Sequence, residues 1–128
     1  MNILGTGIDI IEIERIKKAI KKNNRFLERI YTQKEIEYFK QKNYKSQTIA
    51  GNFAAKEAIS KAFGTGIRGY NFKDIEILRN SLGKPVVKLY NELYKLSEKS
   101  EMKEILLSIS HSKEYAVANA IITTRKEK

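Results

Sequence analysis

Over the first 30 residues, the spacing of hydrophobic positions changes from a strand pattern to a helix pattern. β-Branched residues mixed with glycine occupy 2–11, which predicts a strand that another stretch of backbone can approach closely. Hydrophobic residues then recur at near-helical spacing over 13–30. Asn23 and Asn24 interrupt this spacing, so we expect a helical region with a break at that point.

Two further helices are predicted before the middle of the chain. Thr32 and Glu35 begin the segment 32–43 with the pattern of a capping box, in which each side chain accepts a hydrogen bond from the other residue's backbone amide. The longer segment 48–63 is rich in alanine and is followed by Gly64, the residue type that commonly ends a helix.

The second half of the chain has strand patterns with short connections. Strands are predicted at 71–80 and 86–90, joined by the turn NSLGKP, and at 104–110 and 115–124, joined by HSKE. The segment 91–102 between the two pairs has the pattern of a helix. We therefore expect an α+β fold in which an antiparallel sheet packs against the long alanine-rich helix.

Composition limits the class of protein. The chain has 128 residues, of which 41% are hydrophobic and 31% charged, proportions typical of a globular domain. No linker, repeat or low-complexity segment divides it, so we expect one domain over 1–128. The absence of cysteine excludes disulfides, thiolate metal sites and a thiol nucleophile, and it fits a reducing compartment.

Charge and hydropathy constrain location and partners. The N-terminal apolar run has no basic leader and is interrupted by Asp9, and no apolar stretch approaches the ~18 residues of a membrane span. We therefore expect a cytoplasmic protein. The net charge of +10 predicts a negatively charged partner: nucleic acid, an anionic membrane, an acidic protein or a polyphosphate ligand.

The alanine-rich helix carries charged residues that an ordinary core helix lacks. Within the stretch FAAKEAISK (53–61), Glu57 and Lys61 are four residues apart and so lie on one face. The simplest interpretation is a surface ion pair that contributes ~0.3 kcal/mol. The surrounding alanines, however, let other backbone approach closely, and a carboxylate buried there would need a partner.

Asp9 is unusual because aspartate is disfavoured in strands and this one lies among isoleucines. Gly5, Gly7 and Asp9 fall on the same strand face, and we expect that face to be open beside the carboxylate. A strand-end aspartate that caps a turn or the next helix is the simpler alternative. If Asp9 and Glu57 converge, two carboxylates without a nearby histidine or cysteine suit a hard cation such as Mg²⁺.

Two other features are candidates for ligand binding. The glycines of FGTGIRG follow a helix, which excludes a P-loop or dinucleotide fingerprint. A helix cap and flexible loop is the simpler interpretation, although Lys61 and Arg68 flank exposed amides that could hold phosphates. His111, the only histidine, lies in the predicted link between the last strands, where a structural role is simpler and a polar pocket wall is the alternative.

Seven basic residues within 14–30 predict a charged surface on the first helix. With Ile16, Ile20 and Phe26 beside them, they could bind an acidic helix, a phosphate backbone or a membrane surface, or form a merely solvated face.

Taken in order, three segments resemble the motifs of the 4′-phosphopantetheinyl transferases: GIDI (7–10), FAAKEAISK (53–61) and SISHSKEYAVA (108–118). The short chain and basic first helix are similar to the bacterial holo-acyl-carrier-protein synthase subgroup. The resemblance implies transfer of phosphopantetheine from coenzyme A to a serine of apo acyl carrier protein, for fatty acid biosynthesis. Adenosine 3′,5′-bisphosphate would be the other product.

The resemblance also implies residue roles. Asp9 and Glu57 would hold Mg²⁺, Lys61 would stabilise phosphate charge, and Glu57 or a water near the metal would be the general base. Coenzyme A is expected to contact Lys61, Gly64, Gly66, Arg68 and His111. The carrier protein is expected to dock on Arg15, Lys18, Lys22, Arg25 and Phe26.

The resemblance also implies an oligomeric state. The subgroup is typically homotrimeric with active sites between subunits, and we expect the same here. Ile11 stands where larger superfamily members often have a third acidic residue, which argues against a third protein ligand and against a broad-specificity transferase. A nucleic-acid-binding module and a non-catalytic adaptor for an acidic protein are the rivals, but no nucleic-acid motif is present, and we expect neither nucleic acid nor membrane as partner.

Overall fold

Helices and strands follow one another much as the hydrophobic pattern predicts. The computed structural model describes residues 2–66 and 70–127. Their elements, in chain order, are β1 (Asn2–Glu12), α1 (Ile13–Lys22), α2 (Phe26–Ile30), α3 (Gln33–Gln41), α4 (Ser46–Ala62), a 3₁₀ turn (Phe72–Asp74), β2 (Ile75–Arg79), β3 (Pro85–Leu89), α5 (Asn91–Lys99), β4 (Met102–His111) and β5 (Tyr115–Thr124). Among the helices of these ranges, none is long and apolar enough to cross a membrane.

The strands form two antiparallel sheets. The larger sheet has the order β1-β5-β4, and its register pairs Asp9 of β1 with Ala118 of β5. The smaller sheet is the hairpin of β2 and β3. The α+β class and the antiparallel pairing are confirmed, and the strands divide into a three-stranded sheet and a hairpin.

The long helix α4 is the centre of the fold, and it packs closely against β1. A Cβ atom on Gly7 would lie 1.9 Å from the carbonyl oxygen of Ala58, and one on Gly5 would lie 2.0 Å from that of Ala62. Only glycine permits this approach. The predicted close approach of another stretch of backbone is therefore confirmed, and α4 covers this face of β1 at Gly5 and Gly7.

A buried ion pair joins α4 to α3. Lys56 of α4 and Glu35 of α3 have no exposed side-chain surface, and Lys56 Nζ lies 2.7 Å from Glu35 Oε1. Glu35 Oε2 also accepts a hydrogen bond from the backbone amide of Ile77 at 3.0 Å, which ties the pair to β2. Burial raises the pKa of Glu35 and lowers the pKa of Lys56, and their mutual attraction offsets part of both shifts.

Several local predictions are confirmed. The capping box of Thr32 and Glu35 is present with both hydrogen bonds, and Gly64, with a φ of 84°, follows the end of α4. The expected break falls between α1 and α2.

Other boundaries differ from the sequence prediction for local reasons. The segment predicted as a strand from residue 71 begins with a 3₁₀ turn, in which the Asp74 carboxylate accepts a hydrogen bond from the Asn71 amide at 3.2 Å and the Asp74 amide donates to the Asn71 carbonyl oxygen at 2.9 Å. Helix α5 ends at Lys99 instead of 102, since Glu101 has a φ of 52° and turns the chain into β4. His111 is the last residue of β4 and not part of the link.

The contact between β1 and α4 can be tested by adding one methyl group. We expect Gly7→Ala to lower the free energy of unfolding by ~3 kcal/mol, because the new Cβ meets backbone that cannot move aside. Gly83→Ala is the matched control, because Gly83 has a φ of 83° and open space around it. Backbone strain at this positive φ should be the only effect, and it should lower the free energy of unfolding by about 1 kcal/mol. Urea unfolding measures both; equal losses would contradict the packing argument.

Candidate active site

An open cavity of about 430 Å³ lies where β1, α1 and α4 meet. Four charged residues line it: Asp9, Arg15, Glu57 and Lys61. Its apolar lining comprises Ile10, Ile11, Ile16, Ala19, Phe26 and Phe53. The structure therefore brings together the two carboxylates and the lysine that the sequence analysis selected from separate segments.

The close packing of α4 on β1 positions these charged groups. Glu57 and Lys61 lie on successive turns of α4, beside the segment of β1 that follows Gly7. Lys61 Nζ lies 3.0 Å from Asp9 Oδ1 and donates a further hydrogen bond of 3.1 Å to the carbonyl oxygen of Ile8. Lys61 thus contacts the strand directly, in addition to sharing a helix face with Glu57.

The electrostatics of the cavity follow from the two carboxylates. Partial burial raises the pKa of Glu57, and the negative charge of Asp9 raises it further, while the positive charge of Lys61 offsets part of the shift. Lys61 is about half exposed, whereas the side chain of Asp9 is only 17% exposed. A second cation beside Asp9 and Glu57 would relieve their repulsion.

The donor set fits Mg²⁺. Asp9 and Glu57 offer hard carboxylate oxygens, and Mg²⁺ commonly binds one or two carboxylates together with phosphate oxygens and water. In residues 2–66 and 70–127, no cluster of three or more histidine, cysteine, aspartate or glutamate side chains could hold a metal by itself. Ile11, next on the same face of β1, is buried and provides no ligand.

The basic surface predicted on the first helix adjoins this cavity. Arg15 and Phe26 line the cavity, and the ring of Phe26 packs edge-on against Tyr31 with centroids 6.4 Å apart. Lys18 and Lys22 follow Arg15 at helical spacing on α1 and are exposed, as is Arg25. A partner that contacts these residues would also reach the carboxylates.

His111 does not lie in this cavity. It is exposed at the end of β4 and lines a different cavity, together with Arg79 and Lys84. Within one chain, the structure therefore does not place His111 beside Asp9 and Glu57.

The glycines after α4 have a structural function. The amide of Gly64 donates to the carbonyl oxygen of Lys61 at 2.9 Å, and that of Gly66 donates to that of Ser60 at 3.2 Å. These two amides close the helix end, as the simpler interpretation expects, while residues 67–69 of the same stretch lie outside the described residues. Contact of Gly64 and Gly66 with coenzyme A stays a prediction, and Arg68 lies outside the described residues.

Two residues next to the site were not predicted as site residues. Phe53 lines the cavity, and its ring stacks on Phe72 with centroids 5.4 Å apart. Lys56 is the other residue, and no role was predicted for it although it directly precedes Glu57. Its spacing from Ile49 and Ile59, seven residues before and three after, places it on the core face of α4, and this was the available signal.

Comparisons with known proteins identify the family of this chain. The family model described as the 4′-phosphopantetheinyl transferase superfamily matches residues 5–120. The holo-[acyl-carrier-protein] synthase of Clostridium botulinum is 58% identical over 120 residues, which cover 94% of this chain and 97% of that one.

Two crystal structures of proteins with the same name are similar throughout. The protein from Neisseria meningitidis has a TM-score of 0.89 at 36% identity, covering 95% of this chain and 99% of that one. The protein from Bacillus anthracis, in complex with CoA (3′,5′-ADP), has a TM-score of 0.79 at 42% identity, covering 97% and 99%. Sequence and fold thus agree over nearly the whole length, and this chain belongs to the 4′-phosphopantetheinyl transferase superfamily.

Proposed function

We propose that this protein is a magnesium-dependent holo-[acyl-carrier-protein] synthase, a single transferase domain over 1–128. It transfers 4′-phosphopantetheine from coenzyme A to a serine of apo acyl carrier protein, for fatty acid biosynthesis in the cytoplasm. The observation that carries the proposal is the meeting of Asp9, Glu57 and Lys61 in one cavity beside a basic surface. The names of the relatives and the CoA complex of the Bacillus anthracis protein support it.

The reaction transfers the whole 4′-phosphopantetheinyl group from one oxygen to another. The serine oxygen attacks the coenzyme A phosphorus next to the pantetheine, and the bond from that phosphorus to the oxygen of the adenosine-bearing phosphate breaks. Adenosine 3′,5′-bisphosphate leaves with additional negative charge. Asp9 and Glu57 would hold Mg²⁺, which would neutralise part of the negative charge of the phosphates. The ammonium of Lys61, which contacts Asp9 at 3.0 Å, lies where it can stabilise the leaving phosphate.

The serine proton must pass to a base. The carboxylate of Glu57 lines the cavity beside Asp9 and is one candidate to accept this proton. A water held beside the carboxylates is the alternative acceptor. In both cases the proton leaves toward the Asp9–Glu57 side of the cavity.

The basic surface gives the acyl carrier protein its docking site. Acyl carrier proteins are acidic and helical, so the exposed positive charges of α1 would steer them toward the cavity. Phe26, at the cavity wall, provides an apolar contact within this surface. Docking there brings the carrier's serine close to Glu57.

We place each active site between two subunits of a homotrimer. The outer face of the larger sheet exposes Ile8 and Ile10 at 63% and 64%, and Leu106 at 42%, which is an unusually apolar surface to leave in water. A neighbouring subunit that covers this face could also bring its His111 to the coenzyme A bound beside Glu57. This arrangement accounts for the separation of His111 from the carboxylates within one chain.

The proposed reaction can be tested by intact-mass spectrometry of an apo acyl carrier protein incubated with coenzyme A, Mg²⁺ and this protein. We expect a gain of one phosphopantetheine, abolished by a chelator and restored by excess Mg²⁺. Asp9→Asn and Glu57→Gln should each lower turnover at least ~100-fold with the fold intact. Glu14→Gln, an exposed carboxylate of α1 outside the cavity, is the matched control.

Two outcomes would contradict this prediction. Full activity of Asp9→Asn or Glu57→Gln would exclude the metal site. No mass gain with several apo carriers, while circular dichroism shows a folded protein, would exclude the transferase function.

The docking surface can be tested by charge reversal. We expect Arg15→Glu and Lys22→Glu each to raise the KM for the carrier by about 10-fold at low salt, because like charges now oppose the acidic partner. The effect should shrink at high salt as screening increases. Lys99→Glu makes the same charge change on the exposed surface of α5, outside the cavity, and should leave this KM unchanged. Equal effects of all three would exclude a localised docking site.

The shared active site can be tested by complementation. We expect His111→Ala to lower turnover. Mixing the His111→Ala chain with a Glu57→Gln chain should then restore activity, because some interfaces combine the intact Glu57 of the first chain with the intact His111 of the second. A mixture of Asp9→Asn and Glu57→Gln chains is the control, since these residues line one cavity and no interface is complete. Activity no higher than the control, or a monomer by light scattering, would contradict the proposal.

A further inference from the structure

Lys56 is adjacent to the proposed active site and has no role in the reaction described above. It immediately precedes Glu57 on α4, but its side chain is completely buried. Burying a lysine is costly, and replacing a buried ion pair with apolar residues is often neutral or even stabilising. Stability alone therefore does not explain why a charged pair stands at Lys56 and Glu35.

The ammonium of Lys56 has three acceptors, which match its three N–H donors. One is Glu35 Oε1 at 2.7 Å, and the other two are the backbone carbonyl oxygens of Phe72, at 3.0 Å, and Ile75. These two carbonyls are at the first residue of the 3₁₀ turn and at the first residue of β2. Lys56 thus fixes the position of this turn relative to α4.

The ring of Phe72, in this turn, packs against a residue of the cavity wall. The ring of Phe72 stacks on that of Phe53, with centroids 5.4 Å apart and an interplanar angle of 29°. Phe53 lies one helical turn before Glu57 and lines the same cavity as Asp9, Glu57 and Lys61. An unbroken series of contacts therefore runs from the Lys56 ammonium through Phe72 to the aromatic wall beside the carboxylates.

We propose that Lys56 is a positioning residue for the transfer reaction: by holding the carbonyl of Phe72, it sets the Phe72–Phe53 stack and thereby the aromatic wall of the cavity. The inference rests on the proposed function, because it assigns the ion pair to the geometry of that site. The side chain of Lys56 has no exposed surface with which to touch substrate. The hydrogen bonds of Glu35 to Ile77 and Thr32 hold the other end of the pair in place.

Two variants interrupt the series of contacts at different points. Lys56→Met combined with Glu35→Gln removes both charges of the pair, while the buried carboxylates of Glu76 and Asp74 keep their hydrogen bonds. Phe72→Leu keeps the ion pair and its backbone acceptors but removes the stacked ring. The triple variant tests whether the two changes act through one route.

We expect each of the two variants to lower kcat by about 10-fold, since small displacements of a cavity wall misplace the reacting groups. The KM for the carrier should change less than about 2-fold, because the basic surface of α1 is intact and binding before the reaction is unaffected. The triple variant should lose no more than either alone, as expected for residues that act through one another. Leu93→Ala, a buried residue of α5, is the control for a general loss of stability and should keep its kcat where it is folded.

A second measurement does not depend on activity. NMR signals of the Phe53 ring report ring-current shifts from Phe72, and we expect them to move in the same direction in Phe72→Leu and in Lys56→Met/Glu35→Gln. Wild-type kcat in either variant, or unchanged Phe53 signals in the Lys56 variant, would overturn the proposal. If the Lys56 variant does not fold, wild-type kcat in Phe72→Leu would still overturn it. Absence of transfer by the wild-type protein would instead overturn the proposed function.

Discussion

The close contact of α4 with β1 is the constraint on which the site depends. Gly5 and Gly7 let the helix backbone lie against the strand at a distance that any side chain would prevent. This approach places Lys61 of α4 3.0 Å from Asp9 of β1, with Glu57 one turn away. The lack of side chains at Gly5 and Gly7 therefore determines the geometry of the cavity as much as the carboxylate of Asp9 does.

The buried pair of Lys56 and Glu35 organises a neighbouring side of α4. One side of the helix presents Glu57 and Lys61 to the cavity, while Lys56, about 100° around the helix from Glu57, holds α3, the 3₁₀ turn and β2. The same helix therefore connects the reactive face to the rest of the core. Its alanines suit both purposes, because short side chains let strands and neighbouring helices approach from several directions.

Features with a local cause could be predicted from the sequence, and those with a distant partner could not. The capping box of Thr32 and Glu35 and the helix end at Gly64 depend on residues within four positions. Asp9 and Glu57 were selected because each conflicts with its own element, and the structure places both at one cavity. The partner of Lys56, by contrast, lies 21 residues away, and no spacing rule connects them.

The burial of both charges has a consequence for how this protein can change over evolutionary time. Loss of Lys56 alone would leave the carboxylate of Glu35 unpaired in the core, and loss of Glu35 alone would leave an unpaired ammonium. Single substitutions at either position are therefore strongly disfavoured, whereas a coordinated change of both is tolerated far better. Positions 35 and 56 should covary among homologous sequences, although they are separated along the chain and neither belongs to the surface that meets substrate.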